Sequence, residues 1–286
     1  MVIKRVGGKS KLANWIKFHT PPHQIFVDVF GGSGVVLDAV VAPGKNRRYV
    51  YNDLDNKLYT FFKLLQGRGP EFAELVKITP YSRRFFDEAY DIVTNDEKLQ
   101  SLDALDQALV FLIVNRQSFG AKMMPPWSIT RDGEVNYDTW SKLSGLIQKV
   151  YDRWHMVFLE NLDYRKLLPK WDDETTTFYL DPPYEGVEAE YYEVNKEDGF
   201  DHDEMFDLLQ GIKGSYVVSY YEGSEVVKRY KDAGCDVMTQ EVKMHLAGSE
   251  EKSSKIEILL VSPNEWSKQQ KDRKAIKGRQ TGNIFK

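Results

Sequence analysis

Asp181-Pro182-Pro183-Tyr184 puts a carboxylate, two rigid rings and an aromatic face directly behind the apolar run TTTFYL. The carboxylate can accept hydrogen bonds from an amino group. The prolines fix φ, so the chain beyond the run is ordered in advance. A strand closed by a proline turn explains the same residues, because proline cannot donate to a sheet ladder. These four residues alone leave both readings open.

A second group lies near the N-terminus. Gly8-Lys9-Ser10 invites a phosphate-loop reading, but Ile3 stands where the first glycine of that motif belongs, and the N-terminus leaves almost no room for the strand expected before it. Phe30-Gly31-Gly32-Ser33-Gly34 fits better. It follows the apolar run IFVDVF and precedes a helix-like stretch, so its backbone N–H groups can approach a ligand closely. Leu37 occupies the place of the third glycine of the dinucleotide fingerprint, which favours a ligand without a pyrophosphate. Asp53 lies nineteen residues after Gly34, where a carboxylate can accept from ribose hydroxyls. This glycine loop and acid suit an adenosine ligand such as S-adenosylmethionine (SAM).

The elements that must position these groups follow from periodicity. IFVDVF (25–30) and RYVY (48–51) read as strands, with helices expected over Val35–Val41 and Leu54–Leu65. That β-loop-α-β-α order predicts a doubly wound, mostly parallel sheet, with ligands beyond the carboxyl ends of its strands. The texture changes near Gly69. Helices are expected at Phe72–Ile78, Arg83–Val93, Leu102–Val114 and Leu143–Trp154, with a polar-aromatic stretch between the last two and a hairpin turn at Asp132-Gly133. VFLENLD and FYLDPPY return to strand character. Asp201 and Glu204 suggest a capping box opening a helix Met205–Ile212. SYVVSYY, CDVMTQEVKM and KIEILLV read as strands, the last two separated by a mobile polar loop, His245–Ser254.

Composition sets limits. The chain has 286 residues, 42% hydrophobic and 29% charged, with a net charge of −4, so bulk charge does not coat nucleic acid. Cys235 is the single cysteine, which excludes an intrachain disulfide and a cysteine-based zinc site and reads as an ordinary buried residue. The five histidines lack ligand spacing, and no metal is expected. No signal peptide or membrane span is expected, and a reducing compartment is the default. The tail from Lys268 to Arg279 carries six basic residues and one Asp, read as a solvated end before a DNA-binding arm.

With glycine loop, acid and DPPY together, the chain resembles the Dam-like family of DNA adenine-N6 methyltransferases. In that family a glycine-rich SAM motif precedes a target-recognition insert and DPPY follows it. Lys4-Arg5-Val6-Gly7-Gly8-Lys9 is similar to the family's K-W-x-G-G-K, with Arg5 in the tryptophan's place. Asp28-Val29-Phe30-Gly31-Gly32-Ser33-Gly34 is similar to E-P-F-x-G-x-G, with Val29 in the proline's place. Asn52-Asp53 and Asn161-Leu162-Asp163-Tyr164 match the acidic strand end and the Asp-aromatic pair, and Phe200-Asp201-His202 and Ser219-Tyr220 fall where similar residues occur.

The resemblance implies a Rossmann-like SAM-dependent methyltransferase fold, mostly parallel with an antiparallel C-terminal strand. A catalytic domain over 1–68 and 156–266 would carry a mainly helical DNA-binding insert with a hairpin at 69–155 and a basic tail at 267–286. It implies transfer of a methyl group from SAM to N6 of a flipped adenine in double-stranded DNA, in the cytoplasm of a bacterial or phage-infected cell, with restriction-modification as one setting. Asp181, Pro182, Pro183 and Tyr184 would be catalytic. Arg5, Lys9, Asp28, Phe30, Gly31, Gly32, Ser33, Gly34, Asp53, Asp163 and Asp181 would meet the cofactor. Lys9, Arg116, Gln117, Ser118, Lys122 and Arg131 would meet DNA, with Arg47, Arg48, Arg83 and Arg84 as weaker candidates. Asp163 reads equally as a helix cap or turn residue, and Asp28 is read as a group near the SAM amine before a structural carboxylate bonding loop N–H groups. Glu185–Tyr192 would be a mobile flap. The alternatives are methylation of cytosine-N4, RNA adenine or a protein glutamine, and an inactive DNA-binding regulator.

Overall fold

The structure is a computed structural model describing residues 1–5, 8–42, 44, 46–118, 127, 134–183, 200–245 and 252–263. Tyr184, Lys122, Arg131, the expected hairpin turn, the expected flap and the basic tail lie outside these residues. The strands are β1 (Ile25–Asp28), β2 (Arg48–Asn52), β3 (Val157–Glu160), β4 (Thr176–Leu180), β5 (Ser215–Tyr221), β6 (Asp236–His245) and β7 (Lys252–Val261). They make a seven-stranded sheet in the order β3-β2-β1-β4-β5-β7-β6. β7, the last strand among the described residues, is the antiparallel one, paired with β5 on one side and β6 on the other. The fold is the mixed, mostly parallel α/β arrangement expected.

The chain divides into two compact units, Met1–Asn14 with Gly31–Leu162, and Trp15–Phe30 with Asp163–Lys286. In the first unit, β2 and β3 run parallel, with Tyr49 opposite Val157 and Asn52 opposite Glu160. Around them lie α2 (Val35–Val40), α3 (Asn56–Ile78), α4 (Arg83–Val93), α5 (Asp96–Ser101), α6 (Ala104–Gln117), α7 (Glu134–Ser141) and α8 (Leu143–Trp154). α3 buries Leu58, Phe61, Phe62, Leu65, Phe72 and Val76 along one stripe. Phe62 stacks on Trp154 of α8 at 4.8 Å, and each large side chain so buried contributes roughly 1.5–3 kcal/mol.

The sequence reading splits this stretch in two near residue 69, and α3 is indeed two helical segments joined across a kink at Arg68. Pro70 lacks the N–H for the residue four back, and its ring crowds that carbonyl, so the backbone leaves helical geometry at Arg68 (φ −135°, ψ 28°) before the second segment begins. Gly69 is pressed against α8, where a Cβ would lie 2.7 Å from Tyr151.

The second unit holds α1 (Ala13–His19) for most of its length, together with α9 (Tyr164–Trp171), α10 (His202–Gln210) and α11 (Val226–Asp232). β1, β4 and β5 are parallel neighbours, with Asp28 opposite Tyr179 and Tyr179 opposite Val217. All five residues of β4 are buried, as a central strand covered on both faces requires. α10 starts earlier than the expected Met205 because Asp201 accepts a hydrogen bond from the Glu204 N–H at 2.8 Å and becomes the N-cap. The box is only half made, since Glu204 turns its carboxylate to Arg165 instead. α1, α5, α7, α9 and α11 are too short, at six to eight residues, for a periodic signal to find them.

Candidate active site

In the first unit the glycine loop is built by the end of β2. Gly31 N–H donates to the Asn52 carbonyl at 2.7 Å, and the Tyr51 hydroxyl donates to the Gly32 carbonyl at 2.8 Å. Gly32 and Gly34 have φ of 51° and 70°, the left-handed region that glycine enters without penalty. The loop lies so close to its wall that a Cβ on Gly31 would stand 2.3 Å from the Tyr51 ring, and one on Gly34 2.3 Å from Trp154.

Asp53 clamps the loop. One carboxylate oxygen accepts the Gly32 N–H at 2.8 Å and the other the Asp55 N–H at 2.9 Å. Burial pushes its carboxyl above the usual range, and Arg5 and the two backbone donors oppose that shift without cancelling it. A carboxylate has about four acceptor positions, so Asp53 keeps capacity for further donors. Arg5 pairs with Asp55 at 3.5 Å. Lys9 and Ser33 are buried. Two asparagines brace this end of β2, a role that the sequence reading does not assign. Asn52 exchanges a pair of hydrogen bonds with the Leu162 backbone, and Asn161 donates to the Asp53 and Leu54 carbonyls at 2.7 and 3.1 Å.

In the second unit Asp181 stands directly beyond β4, partly exposed, and Pro182 and Pro183 are buried behind it. Asp28 is buried at the end of β1. The Tyr179 hydroxyl lies within the field of both carboxylates and bonds Ser219 at 3.0 Å. Burial first, then Asp181, holds that hydroxyl far above its usual pKa, so it stays protonated. Phe30, Tyr164 and Phe200 form an aromatic triangle with centroids 5.3–6.0 Å apart. Asp163 is the N-cap of α9, accepting from Arg165 N–H at 2.8 Å and pairing with the Arg165 guanidinium at 3.1 Å. Of its two readings, the cap is the one the structure displays.

The DNA candidates separate by burial. Arg116, near the end of α6, has its guanidinium pushed down to about 10 by burial. Asn115 beside it bonds the Lys4 backbone in both directions at 2.8 Å. Gln117 is completely buried and Ser118 nearly so, so neither offers its side chain outward. Arg48, Arg83 and Arg84 are exposed. Among the described residues no cluster of His, Cys, Asp and Glu could hold a metal ion, and no helix is long and apolar enough to cross a membrane.

The chain is similar to the DNA adenine methylase of Escherichia coli K12, and equally to that of E. coli O157:H7. Identity is 23% over 190 residues, covering 65% of this chain and 66% of each relative, about two thirds of their length. Among solved structures, a precorrin-6Y C5,15-methyltransferase from Geobacter metallireducens aligns over 89% of this chain and 87% of its own at 10% identity, with a TM-score of 0.38. A SAM-dependent O-methyltransferase from Thermotoga maritima aligns over 89% and 65%, at 10% identity and a TM-score of 0.35. Those two likenesses are loose. The sequence profile of the D12 class N6 adenine-specific DNA methyltransferases matches residues 6–246, most of the chain. With the glycine loop, its clamping acid and Asp-Pro-Pro beyond β4 in place, the chain belongs to the D12 class of N6 adenine-specific DNA methyltransferases.

Proposed function

We propose that this chain methylates the exocyclic N6 of an adenine within a specific site in double-stranded DNA, using SAM as methyl donor, in the cytoplasm of a bacterial or phage-infected cell. The observation that carries the reading is Asp181, held at the carboxyl end of a buried strand by two buried prolines. Residues Gly31–Gly34 suit the close approach of an adenosine, and the acceptor capacity left on Asp53 suits the ribose hydroxyls. Arg5, Lys9, Asp28 and Phe30 complete the proposed cofactor set, and Asp163 is left to its cap. When bound, SAM supplies a methyl group activated by a positively charged sulfur.

The chain's own work is on the amine. Adenine N6 is a poor nucleophile because its lone pair is delocalised into the ring. The Asp181 carboxylate and the Pro182 carbonyl accept the amino hydrogens and favour a pyramidal nitrogen with its lone pair localised. Position and electrostatics then supply the catalysis, with no covalent enzyme intermediate. Tyr184 is assigned the face on which the flipped base stacks, at about 1–3 kcal/mol. Arg116, Lys122 and Arg131 are assigned to DNA.

The test is to incubate the purified protein with duplex DNA and SAM and to sequence the product for N6-methyladenine. Asp181→Ala is expected to bind SAM as the wild type does and to transfer no methyl group. Full activity in that variant, or modification of a different base by the wild type, would overturn the reading.

A further inference from the structure

Trp127 is held from four directions. Its backbone forms an antiparallel bridge with Ser118, joining the chain on either side of residues 119–126. Its indole N–H donates to Gln117 Oε1 at 3.2 Å. The Arg83 guanidinium lies over its ring at 5.0 Å, and Tyr81 packs against it at 5.5 Å. Tyr81 in turn meets Trp140 at 6.3 Å, and the Trp140 N–H donates to the Thr79 carbonyl at 2.9 Å, at the C-cap of α3. A run of rings thus ties Trp127 to the end of one helix, the start of another, and the last residues of a third.

Gln117 completes the grip. Polar and adjacent to Arg116, it looks like a reader of base edges, but it is wholly buried and its acceptor is already used by the indole. Its Nε2 has no hydrogen-bond partner. Turning the amide over would set that NH2 group against the Trp127 N–H, donor facing donor, so the indole fixes the amide's orientation. An unpaired buried donor carries a cost, and it persists here beside a hydrogen bond that holds Trp127 to the end of α6.

We infer that Trp127 is a positioning residue for DNA recognition, holding the end of α6, which carries Arg116, through the Gln117 hydrogen bond and the Ser118 bridge before DNA arrives. This rests on the proposed function of the chain. Trp127 does not itself read bases, because its N–H and one ring face are already occupied. Its contribution is pre-organisation, so its loss is felt in DNA selection while methyl-donor binding is untouched.

The experiment compares wild type, Trp127→Ala, Trp127→Phe, Gln117→Leu and Arg83→Gln. The substrates are the duplex that sequencing of modified DNA identifies and the same duplex with one base pair changed. In Trp127→Ala the KM for the preferred duplex is expected to rise about tenfold or more, since misplacement by about 1 Å can cost on the order of a hundredfold. The ratio of kcat/KM between the two duplexes should fall by a similar factor, with SAM affinity within about twofold. Trp127→Phe, which keeps the ring and loses the N–H, should fall between, and Gln117→Leu should match it. An unchanged ratio in Trp127→Ala and Trp127→Phe with SAM binding intact overturns the inference. If Trp127→Ala fails to fold, an unchanged ratio in both Trp127→Phe and Gln117→Leu overturns it. A wild type that methylates no DNA overturns the proposed function and this inference with it. A wild type that methylates DNA with the Trp127 variants indifferent overturns this inference alone.

Discussion

Gly31→Ala probes the glycine loop with one methyl group. The backbone of Gly31 is not left-handed, so the obstacle is space alone. The new Cβ would lie 2.3 and 2.6 Å from two atoms of the Tyr51 ring and 3.0 Å from the Asn52 carbonyl. Tyr51 cannot swing aside, being fully buried with Phe62 at 4.7 Å and Trp154 at 5.7 Å. Overpacking of this kind costs about 1–3 kcal/mol. Displacing the ring also strains the Tyr51–Gly32 hydrogen bond, a further loss of about 0.5–1.5 kcal/mol. Together these imply roughly 2–4 kcal/mol, enough to lower Tm by about 5 °C or more in a chain of this size. Thermal unfolding and calorimetric titration with SAM would read both consequences, and SAM affinity should fall because the loop's N–H groups move. Gly145→Ala is the control. Nothing lies within 4 Å of its Cβ position, and alanine in a helix should gain about 0.5–1 kcal/mol over glycine. A Gly31→Ala protein with wild-type Tm and wild-type SAM affinity would refute the packing argument.

Other expectations follow from single contacts. Arg116→Ala should reduce the slope of log DNA affinity against log salt by about 0.9, the loss of one phosphate contact. An unchanged slope in fluorescence titrations would remove Arg116 from the DNA backbone. The Arg165 hydrogen bond holds the Glu204 carboxyl below its ordinary value of 4.5, so its contribution to stability is present above that pH and is lost as pH falls through the lowered value. Glu204→Gln should therefore lower Tm near neutrality and converge on the wild type in acid; a constant gap would be contrary. Asn161→Ala removes donors to two carbonyls behind Asp53 and should cost about 1–3 kcal/mol in denaturant unfolding.

The sequence makes the strand ends legible because chemistry and punctuation coincide there. Asp181 with its prolines, and Asp53 after RYVY, sit where the structure has them. Asp53 could be found as an acid at a strand end; that its oxygens already clamp Gly32 and Asp55 could not, since this depends on the left-handed turn of the loop. α3 is legible too: the helical pattern is interrupted near residue 69 in the sequence, and Arg68 leaves helical geometry in the structure. Gln117 misleads. An amide in a polar-aromatic stretch suggests a base reader, and only tertiary structure reveals that Trp127 occupies it. A tryptophan ten residues later was the available signal, but sequence spacing does not show that the chain bridges back.

The position of β7 also bears on how the protein is made. β6 is synthesised before β7, yet the two strands that flank β7 are β5 and β6. Until residues 252–261 have left the ribosome, β5 has β4 on one side but lacks its partner on the other, and β6 lacks β7. A product terminated ahead of β7 would keep those edges open, the kind of surface that recruits other nascent chains. β7 therefore supplies the missing partner of two strands at once, and a chain cut before residue 252 is expected in the aggregated or degraded fraction on expression.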